Sequence, residues 1–172
     1  MLPNAVTHNS LRNPIEGCQK QPLILLEEAI CPISHLFRNL ESHVDLAKKA
    51  CKNSLNNLTQ DQSASIYLYT YELPSGQPSF YQELNRTLRS EQRNTLEIWL
   101  PHLKLFLTAL YKLHSISDIV WRGVRNIALT QAIYQPDTQV QWWAVTLCTT
   151  NDNILEQPQF RGNTGRRTLF SI

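Results

Sequence analysis

The feature that most constrains how this chain can fold is a change of hydrophobic period near His114. Before that point apolar residues recur at helical spacing, as in Ile33, Leu36, Phe37, Leu40, Val44 and Ala47. A further helix is expected over residues 91–113, where Leu96, Leu100, Leu103, Leu107 and Leu110 form one stripe. Pro101 either kinks that helix or marks the first turn of a separate one. Beyond His114 the apolar residues gather in short β-branched runs, Asp118–Val124 and Gln139–Thr150, and Arg167–Ile172 begins another. A helical half followed by a strand half reads as α+β.

Two helix starts are written into the sequence. Thr59-Gln60-Asp61-Gln62 and Ser79-Phe80-Tyr81-Gln82 each place a hydroxyl three residues before a glutamine, the arrangement of a capping box. The second opens a helix running to about Arg89. Between them, Ser65-Ile66-Tyr67-Leu68-Tyr69-Thr70-Tyr71 is ambiguous. On pattern alone its β-favouring residues lean to a strand, while the cap just before it agrees with a helix. Its tyrosines read as core. Pro74-Ser75-Gly76-Gln77-Pro78 reads as a loop. Residues 1–22 are polar and aperiodic, a flexible lead-in ahead of a domain over 23–172, helical over 23–115 and strand-bearing over 116–172.

Bulk properties exclude more than they assign. A net charge of +2, with basic residues scattered except for Arg161, Arg166 and Arg167, gives no reason to expect a nucleic-acid partner. No segment approaches the roughly 20 apolar residues of a membrane span. The run Leu23–Leu26 is too short for a signal-peptide core and is followed at once by Glu27 and Glu28, so a cytoplasmic location is expected, with secretion left open. Cys18, Cys31, Cys51 and Cys148 show neither C-x-x-C nor zinc-ligand spacing and read as reduced thiols, Cys148 as an inert one buried in mid-strand. No metal is expected. The five histidines are dispersed, each reading as a surface residue or a hydrogen-bonded helix residue.

Chemistry concentrates in the strand half. In Val120-Trp121-Arg122-Gly123, a guanidinium at a strand end can hold phosphate oxygens bidentately, and the adjacent glycine admits a close backbone approach. Taken alone, a solvated edge-strand arginine beside a turn glycine is the simpler account. Gln141-Trp142-Trp143-Ala144-Val145-Thr146-Leu147-Cys148-Thr149-Thr150 follows, with Trp142 and Trp143 alternating across the strand so that one sits in the core and the other can line a cleft. Gly162-Asn163-Thr164-Gly165, next to Arg166 and Arg167, reads equally as an anion-binding nest or a hairpin turn. No G-x-S-x-G, G-x-G-x-x-G or phosphate-loop motif is present.

In order and spacing these blocks resemble the first two NAD-binding blocks of the arginine-specific mono-ADP-ribosyltransferases. That family carries Trp-Trp-Gly-Phe-Ser-Ser-Cys-Thr where this chain has Trp142 to Thr149. Upstream blocks at Leu58–Asp61, Tyr81, Leu84-Asn85, Thr87–Arg89 and Trp99–Leu110 extend the likeness over about residues 23–172. The resemblance implies a helical lobe, with Ser65–Tyr71 helical, and the opening strands of a two-sheet core that transfers ADP-ribose from NAD or NADP to an arginine of an acceptor protein, releasing nicotinamide. It implies that Arg122, Gly123, Trp143 and Thr146 hold the co-substrate, Arg122 and Thr146 also assisting catalysis, with Arg167 near the loop that closes over the ligand.

The departures are specific. Thr146 stands where the family has its functional serine, Leu147 where a second serine is usual, Val145 where an aromatic is usual, and Gln62 in place of an acidic residue. The family's catalytic Glu-x-Glu is missing: among Glu16, Glu27, Glu28, Glu41, Glu72, Glu83, Glu91, Glu97 and Glu156, no two lie two positions apart. The expectation is that the chain stops before that strand. The alternatives to an active transferase are an inactive NAD-binding or protein-interaction module and a truncated product.

Overall fold

The structure, a computed structural model, describes residue 15 and residues 17–53, 57–71, 78–90, 92–125, 144–156 and 164–172. The fold is α+β: five α-helices and one small antiparallel sheet among the described residues. The chain forms two compact units, one within Ser10–His114 and one containing Ser115–Ile172.

The first unit is helical. Helix α1 spans Leu26–Ile30 and continues as a 3-10 turn over Cys31–Leu36, where Pro32 sits in the first turn. Asn39, at φ 56°, then reverses the chain into α2, Leu40–Ala50, using a left-handed conformation that asparagine tolerates better than most residues. The single helical period from Ile33 to Ala47 is thus carried by two segments broken around Asn39. Helix α3 covers Gln60–Thr70 and α4 covers Phe80–Arg89, and both capping boxes form in full. Thr59 Oγ1 accepts from Gln62 N at 3.2 Å while Gln62 Oε1 accepts from Thr59 N at 3.1 Å; Ser79 and Gln82 repeat the exchange at 3.2 Å in both directions. The cap therefore outweighs the β-favouring residues of 65–71, which lie in or directly after α3. Tyr69 is core, whereas Tyr67 and Tyr71 are half-buried and stack on one another.

The expected helix over 91–113 is two elements, a 3-10 turn over Arg93–Trp99 and α5 over Leu100–Lys112. Pro101 sits in the first turn of α5, where a missing N–H costs nothing, so the second of its two readings holds. The buried face also differs from the expected leucine stripe. Leu96 and Leu103 are buried, but Leu100, Leu107 and Leu110 are only partly covered, and His102, Leu105, Phe106 and Ala109 take the inner positions. Helix α5 packs on α1 and α3, and α3 in turn on α2 and α4, so that α3 and α5 form the spine of the unit. Within the expected lead-in, Cys18–Lys20 forms a 3-10 turn with Cys18 buried, and Lys104 Nζ donates to the Gln19 carbonyl at 3.2 Å.

The second unit holds a two-stranded antiparallel ribbon, β1 (Trp121–Arg125) and β2 (Arg167–Ser171), with Arg122 opposite Phe170 and Gly123 opposite Leu169. The ladder extends by a reciprocal pair between Val120 and Ile172. Gly165, at φ 81°, turns the chain ahead of β2. Along the other edge of β1, Trp121 N donates to the Thr149 carbonyl at 2.7 Å and Thr149 N returns the bond at 3.0 Å. The strand expected over Gln139–Thr150 is not realised in residues 144–150, which make only this one bridge; residues 139–143 lie outside the described residues. β-Branched composition favours an extended chain, but a strand exists only where a partner ladder is supplied.

Candidate functional site

Arg122 is the centre of the candidate site. Alternation along β1 puts Arg122 and Val124 on one face, both buried, with Arg122 only 8% exposed. Directly opposed residues of an antiparallel pair share a face, so Phe170 and Thr168, both half-buried, flank this same side. The turn Asp152–Glu156 packs on β1, and its Leu155 is buried at 6% exposure. A guanidinium in so dry a setting is engaged rather than solvated, and Arg122 does have contacts of its own.

The segment bridged to β1 through Thr149 brings Cys148 into range. Burial pushes the Cys148 thiol up and the positive charge of Arg122 draws it down, burial being the larger effect. Cys148 as a whole residue is nevertheless exposed. That exposure corrects the expectation of a thiol buried in mid-strand. Residues 145–148 are not in a strand, and Leu147 and Cys148 are exposed while residues 144–146 are half-buried. A raised pKa leaves the Cys148 thiol less thiolate at neutral pH than an ordinary cysteine has.

The other expected site residues divide by position. Gly123 follows Arg122 and is half-buried on the opposite face of β1. Thr146 is half-buried two residues before Cys148, in the same irregular segment, and Leu147 beside it is 38% exposed. Arg167 opens β2 and is exposed. Its register position, three residues from Phe170, gives it the face opposite to Arg122. Trp143, with Trp142, lies outside the described residues, as do Arg161, Gly162 and Asn163. Hence the sheet brings Arg122 and Cys148 together, and parity keeps Arg122 and Arg167 apart. Cys148 was the neighbour the motif reading missed, although its even spacing from Thr146 was visible.

No group of three or more histidine, cysteine or acidic side chains capable of holding a metal is present among the described residues. No helix among them is long and apolar enough to cross a membrane. The remaining histidine of note is His102, expected to be a surface or hydrogen-bonded residue. It is 0% exposed on α5 and neither ring nitrogen has a hydrogen-bond partner. Burial alone lowers its pKa to about 3, so at neutral pH it is an uncharged aromatic filler of the core.

Comparison with family models, with curated proteins and with solved structures gave no match to this chain.

Proposed function

We propose that this chain carries the NAD(P)-holding part of a domain resembling the arginine-specific mono-ADP-ribosyltransferases. The observation that carries the reading is the placement of Arg122: an arginine in a dry setting on the covered face of β1, followed at once by Gly123, with Thr149 bridged to Trp121 of the same strand. In that arrangement Arg122 holds the dinucleotide pyrophosphate through charge-assisted bonds, which strengthen where water is excluded. Gly123 lets the backbone approach the carboxamide, and the Thr146 hydroxyl bonds the nicotinamide ribose. Arg167, on the other face of the ribbon, is left out of the pyrophosphate site and belongs to the loop side of the cleft.

Cleavage of the nicotinamide bond needs a preorganised carboxylate at the developing positive ribose. The 172 residues contain no Glu-x-Glu to supply it. The function proposed for these residues is therefore binding of the co-substrate; transfer to an acceptor arginine requires a carboxylate from elsewhere. Leu147, which cannot donate a hydrogen bond in place of the usual serine, favours the second reading, an inactive NAD-binding module.

The test is calorimetric titration of NAD into the full chain and into Arg122→Ala. Losing one charge-assisted anchor removes about 1.5–3 kcal/mol, about ten- to a hundredfold in affinity. Equal affinity for the two proteins, with both folded by circular dichroism, removes Arg122 from the site. With labelled NAD and agmatine, the chain alone yields no product above background; robust labelling refutes the assignment of binding without transfer.

A further inference from the structure

His102 is a titratable group that the proposed NAD site does not use. It lies on α5 inside a box of aromatic rings from three elements. Phe80 of α4 meets it edge-on at 4.6 Å between centroids, and Trp99 of the preceding 3-10 turn does so at 6.4 Å. Phe106, one turn along α5, stacks on it at 5.8 Å. Phe80 and Trp99 also pack on each other and on Phe37, so the imidazole sits where α4, α5 and the Phe37 segment converge. Its side chain is fully buried and both nitrogens lack hydrogen-bond partners. An apolar residue would fill the same space with no orphaned polar atoms. An imidazolium there would add an unpaired buried charge.

The charged groups on the packed elements do not offset this. Helix α4 carries Glu83 and Arg86, which pair with each other at 2.6 Å, and Arg89, which has contacts of its own. The turn before α5 carries Glu97, which is exposed. On α5, Lys104 donates to the Gln19 carbonyl and Lys112 to Gln62 and Asn57. Next to Phe37 stand His35 and Arg38, both exposed. None of these acts on the imidazole, whose only perturbation is desolvation. Among the described residues no carboxylate is hydrogen-bonded to the imidazole to receive the proton.

We infer that His102 is an acid-triggered latch of the helical unit: uncharged it closes the aromatic box, and acidification releases α5 from Phe80 and Trp99 because only the opened unit accommodates the imidazolium. The sign follows from linkage. The folded pKa is depressed below the ordinary histidine value of 6.5, so the unfolded or opened form binds the proton more tightly. The stability His102 allows is complete above pH 6.5 and is lost as pH falls from there toward about 3.

The experiment is urea unfolding of the full chain, followed by circular dichroism at several pH values between 7 and 4.5, together with hydrogen exchange of the α5 amides. One such group raises the unfolding constant about tenfold for each pH unit below its unfolded pKa. The wild-type protein should therefore unfold about tenfold more readily at pH 5.5 than at neutrality and about a hundredfold more readily at pH 4.5. Exchange of α5 amides, corrected for intrinsic rates, should rise in parallel. His102→Leu and His102→Gln cannot titrate, and each should show a flat profile over this window, whatever its absolute stability. A wild-type profile that is itself flat overturns the inference without any variant. So does a slope that persists unchanged in a variant that folds.

Discussion

Asp61 offers a sharp test of how the helical unit is held together. It occupies the second position of α3, where a carboxylate faces the positive end of the helix. Its Oδ1 accepts from Leu26 N at 3.1 Å, across 35 residues of sequence, and pairs with Lys48 Nζ at 3.0 Å. Lys48 in turn donates to Glu27 Oε1 at 2.6 Å. Leu25, at the cap position of α1, has no side-chain acceptor, so Asp61 supplies from a distance the cap that α1 lacks locally. Asp61 and Lys48 are 17% and 22% exposed at the side chain, so their pair is only partly screened.

A hydrogen bond to an ionised acceptor contributes about 1.5–3 kcal/mol, the first-turn charge about 0.3–1 kcal/mol, and a pair of this exposure no more than about 1 kcal/mol. Asp61→Ala removes all three and is expected to cost about 2–4 kcal/mol. Asp61→Asn keeps an acceptor oxygen but drops the charge, and should cost about 1 kcal/mol. Urea unfolding at neutral pH, read at 222 nm, measures both. Equal losses for the two variants would show that charge, not the bond to Leu26 N, is what matters. A loss below about 0.5 kcal/mol for Asp61→Ala would refute the remote cap altogether, being within the range of an ordinary surface change.

Two further outcomes are expected. Thr59→Ala and Ser79→Ala should each destabilise the helical unit by about 1 kcal/mol, with Thr→Ser at position 59 nearly neutral, as followed by the same urea titration. Thiol labelling of the native protein should reach the exposed Cys31 first and the buried Cys18 last, since burial pushes the Cys18 thiol up and limits access; quantitative early labelling of Cys18 would mean that its turn does not hold.

Legibility in the sequence follows the range of the interactions involved. The two capping boxes close over three residues, and they form as the sequence predicts. The helical half and the strands at β1 and β2 were visible for the same reason, as local periodicity. The buried face of α5 was not. Leucine spacing selects Leu100, Leu107 and Leu110, whereas packing against α1 and α3 turns His102, Leu105 and Phe106 inward, a choice made by neighbours remote in sequence. The strand expected at 139–150 fails in residues 144–150 because extended residues need an edge to pair with, and β1 gives them only the Thr149 bridge. At the candidate site, the motif singles out Arg122, while its burial on β1 comes from the sheet. Its separation from Arg167 depends on the register of β1 against β2, and register parity is written in no single motif.

Gln62 Oε1 has a second role besides the cap. The same oxygen that accepts from Thr59 N also accepts from Lys112 Nζ at 2.9 Å, and Lys112 reaches the Asn57 carbonyl at 3.3 Å. One of these bonds spans three residues and the other fifty. The short one closes as soon as the chain around α3 begins to turn, while the long one must wait for the whole span to α5 to be folded back, against a loop entropy that local contacts never meet. The order of events in folding is thus built into a single atom. The start of α3 is set early and cheaply, and the last turn of α5 is fastened to it only when the helices between have found their places, so loosening at the end of α5 leaves the beginning of α3 intact.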